Sequence, residues 1–294
     1  MNFKKLEYSD IGTVKPYLYK YASSKANDYT LTGLFLWRDH LNVYFTIEED
    51  GLYIYQLVDG VYLFYVPLCE NVDAGIDKII AYCKEHNYRF GFYPFSDDDL
   101  SMLKSKNIEY TVEQKDDYND YIYLIDELAN LSGKKFHSQK NHVNKFNKLY
   151  SDYRLERLSK EHLDGVYSLL SDYENYKRQE GLSETETEEL RKLPEILNDP
   201  EAYNLFGYCL LVNGVVEAFE LGEIVGDMYY AHIEKANRSI EGIYSKMINA
   251  VALDLQGKVV YMNREEDLGD SGLRTSKTRL NPCGHIKKNM IFAV

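Results

Sequence analysis

The sequence predicts an α+β protein in which one architecture is used twice. Three features point there. The chain has 294 residues, enough for two ordinary domains. Apolar residues make up 45% of it, so it folds around cores and is not disordered. Each half also carries the same order of elements: a strand, two helices, three strands joined by tight turns, a helix, a strand, a helix, and one or two closing strands.

The elements follow from local signals. In the first half, Phe3 to Glu7 reads as a short strand, and Asp10 caps a helix over Ile11 to Tyr21. Thr30 to His40 is a second helical segment. Strands Asn42–Glu48, Leu52–Leu57 and Val61–Val66 are separated by the turn signals Glu49-Asp50-Gly51 and Asp59-Gly60. Ile76, Ile79, Ile80 and Cys83 give Val72–His86 a helical period. Strand Arg89–Phe95, helix Asp97–Lys106 and strands Ile108–Gln114 and Asp120–Ile125 complete the half.

The second half opens with strand Tyr153–Leu158. Ser159 and His162 cap a helix running to about Arg178, and Glu184–Leu197 is a second helix. Strands Leu205–Val212, Val215–Ile224 and Met228–Lys235 are divided by Asn213-Gly214 and Gly226-Asp227. Helix Ile240–Leu255, strand Val259–Asn263 and helix Gly272–Leu280 follow, and His285–Val294 is expected to supply the half's last strand. This is the element order of the GNAT acyltransferase fold. The expectation is two tandem GNAT-like (acyl-CoA N-acyltransferase-type) domains, with mixed, mostly antiparallel sheets flanked by helices. Their expected bounds are 1–126 for the first, 127–151 for a basic bridging helix, and 152–294 for the second, which carries the cleft.

Charge and composition exclude several classes. The net charge of −13 argues against a protein that coats nucleic acid over its whole surface. No stretch reaches the ~20 apolar residues of a membrane-spanning helix. Met1–Asp10 lacks the apolar run of an export signal. Cys69, Cys83, Cys209 and Cys283 lie far apart, which fits reduced thiols in the cytoplasm. No metal site is expected: the carboxylates lack an EF-hand pattern, and His232-x-Glu234 offers only two ligands.

One segment reverses the charge. Leu128 to Ser151 contains no Asp or Glu but holds Lys134, Lys135, Lys140, Lys145 and Lys148. Phe136, Val143, Phe146 and Tyr150 recur at helical spacing and pack, while Asn141, Lys145 and Lys148 fall on another face. Such a face attracts phosphates, so these lysines and Asn141 are candidate nucleic-acid contacts. The competing reading is a solvated face paired with the acidic halves.

The second half holds the candidate cleft. In a GNAT fold the fourth and fifth strands splay apart to admit the acyl donor. Strand alternation puts His232 and Glu234 on one face, where they can take the amine proton; the alternative is a core histidine and an ordinary ion pair. A CoA enzyme carries an Arg/Gln-x-x-Gly-x-Gly/Ala loop. Here Arg238 is followed one residue late by Gly242, and Tyr244 replaces the small residue. The loop therefore disfavours a CoA donor. Asn263-Arg264-Glu265-Glu266-Asp267-Leu268-Gly269 is the densest charged motif, with Arg274 and Lys277 on the next helix. Cations and anions converge there, as polar substrate recognition requires.

Four further stretches stand beside that motif: Asp120-Tyr121-Ile122-Tyr123, Leu131 to His137 with Lys140 to Phe146, His232-Ile233-Glu234-Lys235-Ala236, and Gly242-Ile243-Tyr244. Over nearly its whole length the chain resembles a bacterial family related to the C-terminal domain of phosphatidylglycerol lysyltransferase. The NREEDLG…GLR string is the most specific part. The resemblance implies tandem GNAT-like domains, as in Fem-type aminoacyltransferases, that move an amino acid from aminoacyl-tRNA to an amine or hydroxyl acceptor. The acceptor would be a small molecule, a peptide or a lipid headgroup. No tightly bound cofactor is expected.

Three readings stay open. In the first, an aminoacyl- or acyltransferase, His232, Glu234, Arg264 and Glu266 are the candidate catalytic residues. Arg264, Arg274 and Lys277 would bind the donor's carbonyl or phosphate side. Glu265, Glu266 and Asp267 would hold an amine, with Asn263, Arg238, Gly242 and Tyr244 as further substrate contacts. The second is a CoA-dependent N-acetyltransferase. The third is a non-catalytic module that binds a small molecule or a partner.

Overall fold

The structure, a computed structural model, describes residues 1–106 and 108–294. Its chain divides into two compact units, Met1–Asp120 with Ile286–Val294, and Tyr121–His285.

The first unit contains β1 (Lys4–Lys5), α1 (Ile11–Tyr21), α2 (Leu31–Leu36), β2 (Val43–Glu48), β3 (Gly51–Val58), β4 (Val61–Phe64), β5 (Leu68–Cys69), α3 (Val72–His86), β6 (Phe90–Phe95), α4 (Leu100–Leu103) and β7 (Tyr110–Gln114). The helix expected over Asp97–Lys106 is confined to α4. Asp99 accepts from the Ser96 amide and hydroxyl at 2.8 and 2.6 Å, which holds the preceding residues in a turn.

The second contains β8 (Asp120–Leu124), α5 (Ile125–Asn130), α6 (His137–Leu149), β9 (Tyr153–Arg157), α7 (Leu163–Glu180), α8 (Glu184–Asn198), β10 (Phe206–Val212), β11 (Val215–Val225), β12 (Met228–Ala236), α9 (Ile243–Leu255), β13 (Tyr261–Asn263), α10 (Ser271–Arg279) and β14 (Gly284–Ile286). The last strand, β15 (Asn289–Ala293), belongs to the first unit.

Among the described residues, the first sheet runs β1-β2-β3-β4-β6-β15-β7, with β5 beside β3. The second runs β9-β10-β11-β12-β13-β8-β14. Position by position the two orders are the same. In each, the fourth and fifth strands form the parallel pair, β4 with β6 and β12 with β13. This is α+β architecture with two mixed sheets flanked by helices, as expected.

The closing strands correct the expectation. Asp120–Ile125 was assigned to the first half, yet β8 lies in the second sheet between β13 and β14. The tail was assigned to the second half. Only β14 stays there, while β15 sits between β6 and β7 of the first sheet. The expected bounds at 126/127 and 151/152 therefore differ from the compact units. The basic helix α6 belongs to the second unit and is not a separate bridge.

Tyrosine packs between strands. In the first unit Tyr44 stacks on Tyr55 across β2 and β3, with centroids 5.1 Å apart. Tyr62 stacks on Tyr88 at 4.3 Å. Tyr44, Tyr62 and Tyr88 are half-buried, so each ring is covered while its hydroxyl can reach water. In the second unit the core fills the space between the sheet and α5, α6 and α9, with Tyr123, Phe136, Phe146, Tyr208, Tyr229, Met247 and Met262 among its largest members. Each such side chain contributes roughly 1.5–3 kcal/mol by burial.

Gly91 in β6 shows how tightly β15 is held. A Cβ there would lie 1.9 Å from the carbonyl oxygen of Ile291. Gly91→Ala should therefore destabilise the first unit by about 1–3 kcal/mol. Denaturant unfolding, with exchange protection of residues 289–293 as the local readout, measures it. Wild-type stability would mean that β15 does not require this close approach.

Candidate functional site

In the second unit, β12 pairs with β13 only over Met228–Tyr230. From Ala231 to Ala236 it has no ladder partner on that side among the described residues, so the sheet opens there into a notch. Side chains of β11, of β12 and of the loop after β13 meet around it.

A bulge decides which ones. Leu221 stands opposite Ile233, but Gly222 stands opposite Ala231. His232 is therefore an extra residue in β12. Because side chains alternate with a period of two, one inserted residue exchanges the faces beyond it. His232 and Glu234, expected on one face, point to opposite faces of the sheet.

Glu234 stands opposite Glu220, on the face that carries Ala218, Ala236, Tyr229 and Met262 into the core. There the Arg264 Nη2 donates to Glu234 Oε2 at 2.5 Å, and the Tyr229 hydroxyl donates to Glu220 Oε1 at 2.8 Å. Glu220 Oε2, Glu234 Oε1 and Arg264 Nη1 are buried without a hydrogen-bond partner among the described residues. Burial first, and the Glu234 carboxylate opposite it second, push the Glu220 carboxyl up to about 8. Near neutral pH Glu220 thus carries a proton.

His232 lies on the other face, beside Glu223 and Tyr230, which pair across β11 and β12. Its Nε2 is 3.0 Å from Glu223 Oε1 and its Nδ1 is 2.7 Å from Glu265 Oε1. Burial works to keep the ring neutral, but the two carboxylates outweigh it and hold the imidazole up to about 9. At pH 7 it is an imidazolium clamped on both nitrogens, which does not suit the role of proton acceptor.

The 264–269 loop is held by bonds from β8, from the end of β13 and from α10. Asn263 Oδ1 accepts from the Glu265 amide at 2.7 Å. Glu265 takes a left-handed conformation with φ 58°, and Leu268 does so with φ 51°. Strain of this kind collects at functional sites. Asp267 is gripped by Arg274, whose Nε and Nη2 donate at 2.9 and 2.8 Å, and by the Tyr121 hydroxyl at 2.7 Å. Burial opposes ionisation of Asp267, but Arg274 and Tyr121 hold its carboxyl down to about 2. Lys277 donates to the Glu266 carbonyl, and Glu266 itself is half-buried. Asp267, Arg274 and Lys277 shape the loop; Arg264 reaches into the notch.

The expected phosphate loop is also engaged. Arg238 turns to α7, donating to the Tyr176 hydroxyl at 3.2 Å and lying 5.1 Å from its ring centre. The Tyr244 hydroxyl is 3.4 Å from the Ala236 carbonyl. Gly242 precedes α9 with φ 79°, and a Cβ there would lie 2.5 Å from the carbonyl oxygen of His142 in α6. Lys145 of α6 pairs with Glu241. Helix α6 is thus seated on the start of α9. Of the other basic candidates, Lys135 pairs with Glu127 at 2.7 Å. Lys134, Lys140, Asn141 and Lys148 are exposed.

Sequence reasoning missed Glu220 and Glu223. Their signal was present: two carboxylates in the otherwise apolar run Ala218-Phe219-Glu220-Leu221-Gly222-Glu223.

Over residues 20–292 the chain matches the family described as phosphatidylglycerol lysyltransferase, C-terminal. A conserved protein of unknown function from Bacteroides thetaiotaomicron is 26% identical, superposes with a TM-score of 0.86, and is covered over 99% of its length by 100% of this chain. L-PGS from Bacillus licheniformis is 14% identical with a TM-score of 0.67, over 96% of this chain and 91% of that one. FemX is 11% identical with a TM-score of 0.64, over 100% of this chain and 98% of that one. At these identities the last two show the fold. Among curated proteins none matches in sequence. No described helix is long and apolar enough to cross a membrane.

Glu220 also gives stability a pH dependence. Its folded-state pKa lies above that of a free glutamate, so folding favours the protonated form. The stabilisation is complete below the free value of 4.5 and is lost as pH rises to about 8. The melting temperature should therefore fall across that window. Glu220→Gln cannot ionise, so its melting temperature should fall less. Parallel curves for the two proteins would show that Glu220 is not held neutral.

Proposed function

We propose that this chain, which belongs to the family of the phosphatidylglycerol lysyltransferase C-terminal domain, transfers an aminoacyl group from aminoacyl-tRNA to an amine or hydroxyl acceptor. The observation that carries this reading is the seat of α6. A CoA-dependent enzyme of this fold receives pyrophosphate on free backbone N–H groups where α9 begins. Here the His142 carbonyl and the Lys145–Glu241 pair stand at that place. The exposed lysines of the same segment suit a longer polyanion.

In this reading the ester carbonyl of the donor lies in the notch. The acceptor nitrogen or oxygen attacks the carbonyl carbon, and its proton passes to the Glu234 carboxylate. Arg264 Nη1, which has no partner among the described residues, donates to the developing oxyanion. The carbon–oxygen bond to the RNA ribose then breaks, and the leaving oxygen takes the proton held on Glu220. A proton shared between the two carboxyls restores the starting state. One carboxyl held neutral beside one ion-paired with Arg264 supplies acid and base in a single place. His232 acts as a positioning residue, because its charge fixes Glu265 and with it the loop that carries Arg264.

Two measurements test the reading. A donor screen of aminoacyl-tRNAs against acyl-CoAs should show transfer from the former, and turnover with acetyl-CoA alone would replace it. Glu234→Gln and Arg264→Lys should each lower kcat by about a hundredfold or more with the circular dichroism spectrum retained. Normal turnover in both variants would move the chemistry elsewhere.

The basic face has its own test. Among the described residues Lys145 and Lys135 are ion-paired, and Lys134, Lys140 and Lys148 carry the exposed charge that remains. Lys140→Ala combined with Lys148→Ala should weaken RNA binding and reduce the slope of log K against log salt by about 1.4. An unchanged slope would remove α6 from the RNA interface.

A further inference from the structure

Helices α7 and α8 are each built into the second unit over only half their length. Val166, Leu169 and Leu170 bury the first half of α7, and Leu193, Ile196 and Leu197 bury the second half of α8. Between them no residue from 171 to 191 is buried. These residues form a helical arm that turns at Gly181, where φ is 106°. The arm is tied within itself. Lys177 Nζ lies 2.6 Å from Glu186 Oε1, and the Ser183 hydroxyl accepts from the Glu186 amide at 3.1 Å. It can therefore move as one piece about the buried halves.

Two polar ties fasten the arm to β12 and the residues that follow it. Lys235 of β12 pairs with Glu189 of α8, and its Nζ lies 5.0 Å from the Tyr173 ring centre of α7. Arg238, just beyond β12, holds Tyr176. Lys235 is only 8% exposed. Burial works against its ammonium, but Glu189 and Tyr173 outweigh it and raise the pKa above the usual lysine value. Apolar side chains of similar size often hold two elements as well as a buried ion pair, or better. An ion pair differs in that it lets go when either charge finds another partner.

The place of these ties gives them a role. Lys235 belongs to Ala231–Ala236, the stretch of β12 with no ladder partner toward β13 among the described residues. Glu234 points to the core face, so Lys235 points to the face that carries His232. The Glu234 face is filled by the core with α5, α6 and α9. The arm is thus fastened on the side of the open strand that this core leaves free. We propose that the arm of residues 171–191 is a lid on the notch, latched by Lys235–Glu189 and Arg238–Tyr176, and that release of the latch opens the way in from the His232 face. That the opening admits a reactant rests on the aminoacyl-transfer reading; the latch does not.

Spin labels on the full chain read the arm's position. Gln179→Cys near the end of α7 and Leu273→Cys on α10 take the labels, both at exposed sites, with Cys283→Ser removing the exposed native thiol. In Lys235→Met, pulsed electron–electron resonance should gain a longer distance, because Glu189 loses its counter-charge. Lys235→Met combined with Glu189→Leu should restore the single shorter distance, because an apolar pair needs no counter-charge. An unchanged distance in Lys235→Met, or a longer one that persists in the combined variant, overturns the latch. Should Lys235→Met fail to fold, the exposed Arg238→Gln serves. It should also add the longer distance, and no change would overturn the proposal. Turnover with the aminoacyl-tRNA donor tests the lid. The combined variant should lower kcat about tenfold, since a lid held shut delays passage. Unchanged turnover in that variant would overturn the gating role. Label movement in a chain that turns over no aminoacyl-tRNA would overturn the transfer reading and uphold the latch.

Discussion

The second unit depends on one extra residue in β12. The bulge at His232 gives the sheet two differently charged faces where regular alternation would give one. On one face stand Glu220, Glu234 and Arg264; on the other stand Glu223, His232 and Glu265. Each face buries charge, and buried charge persists only when it is paired or neutralised. The structure uses both routes. Arg264 pairs with Glu234, His232 is charged between two carboxylates, and Glu220 keeps its proton. The clamp on His232 also fastens the loop. Glu265 follows Arg264 directly, so fixing its carboxylate fixes the point from which the guanidinium enters the notch.

The same architecture occurs in both units, but the chemistry does not. In the first unit the corresponding parallel pair is β4 with β6, and a cluster of Val61, Leu63 and Tyr93 with Met290 and Phe292 packs there. Beyond the last pair, Phe64 with Phe92, the Tyr29 hydroxyl bridges the two strands, accepting from the Val66 amide and donating to the Pro94 carbonyl, each at 3.0 Å. In the second unit, carboxylates and an arginine occupy the equivalent opening. The two scaffolds share their strand order, and they differ in what stands between the fourth and fifth strands: a tyrosine hydroxyl in the first, carboxylates and an arginine in the second.

The fold was legible where turns mark it. Asp59-Gly60 and Asn213-Gly214 place the hairpins because both residues adopt positive φ there. Strand existence was also legible for 120–124 and for the tail, but partner choice was not. A short apolar strand carries no signal for which sheet it joins. The bulge was hidden for a related reason. Met228–Ala236 is buried along nearly its whole length on both faces, so polar–apolar alternation gives no anchor for the register. In the candidate site, the charge density of Asn263–Gly269 marked the loop that borders the notch. It could not tell Arg264, which enters the notch, from Asp267 and Arg274, which hold each other. Glu220 and Glu223 were visible only as charges out of place in an apolar strand.

Gly242 links the fold to the choice of donor. In a phosphate-binding loop a glycine lets an anion approach the backbone. Here the missing Cβ is used differently: the α6 carbonyl of His142 takes that space, and the backbone needs φ 79°. The His142 oxygen fills the space beside Gly242 that an approaching anion would need, while the Ile243 amide at the start of α9 donates to the Ile240 carbonyl at 3.3 Å. Helix α6 thereby does two things at once. It places its His142 carbonyl and the Lys145–Glu241 pair at the start of α9, and it turns Lys140 and Lys148 outward. On the proposed reading, the donor's phosphates are received on the helix that excludes the smaller donor.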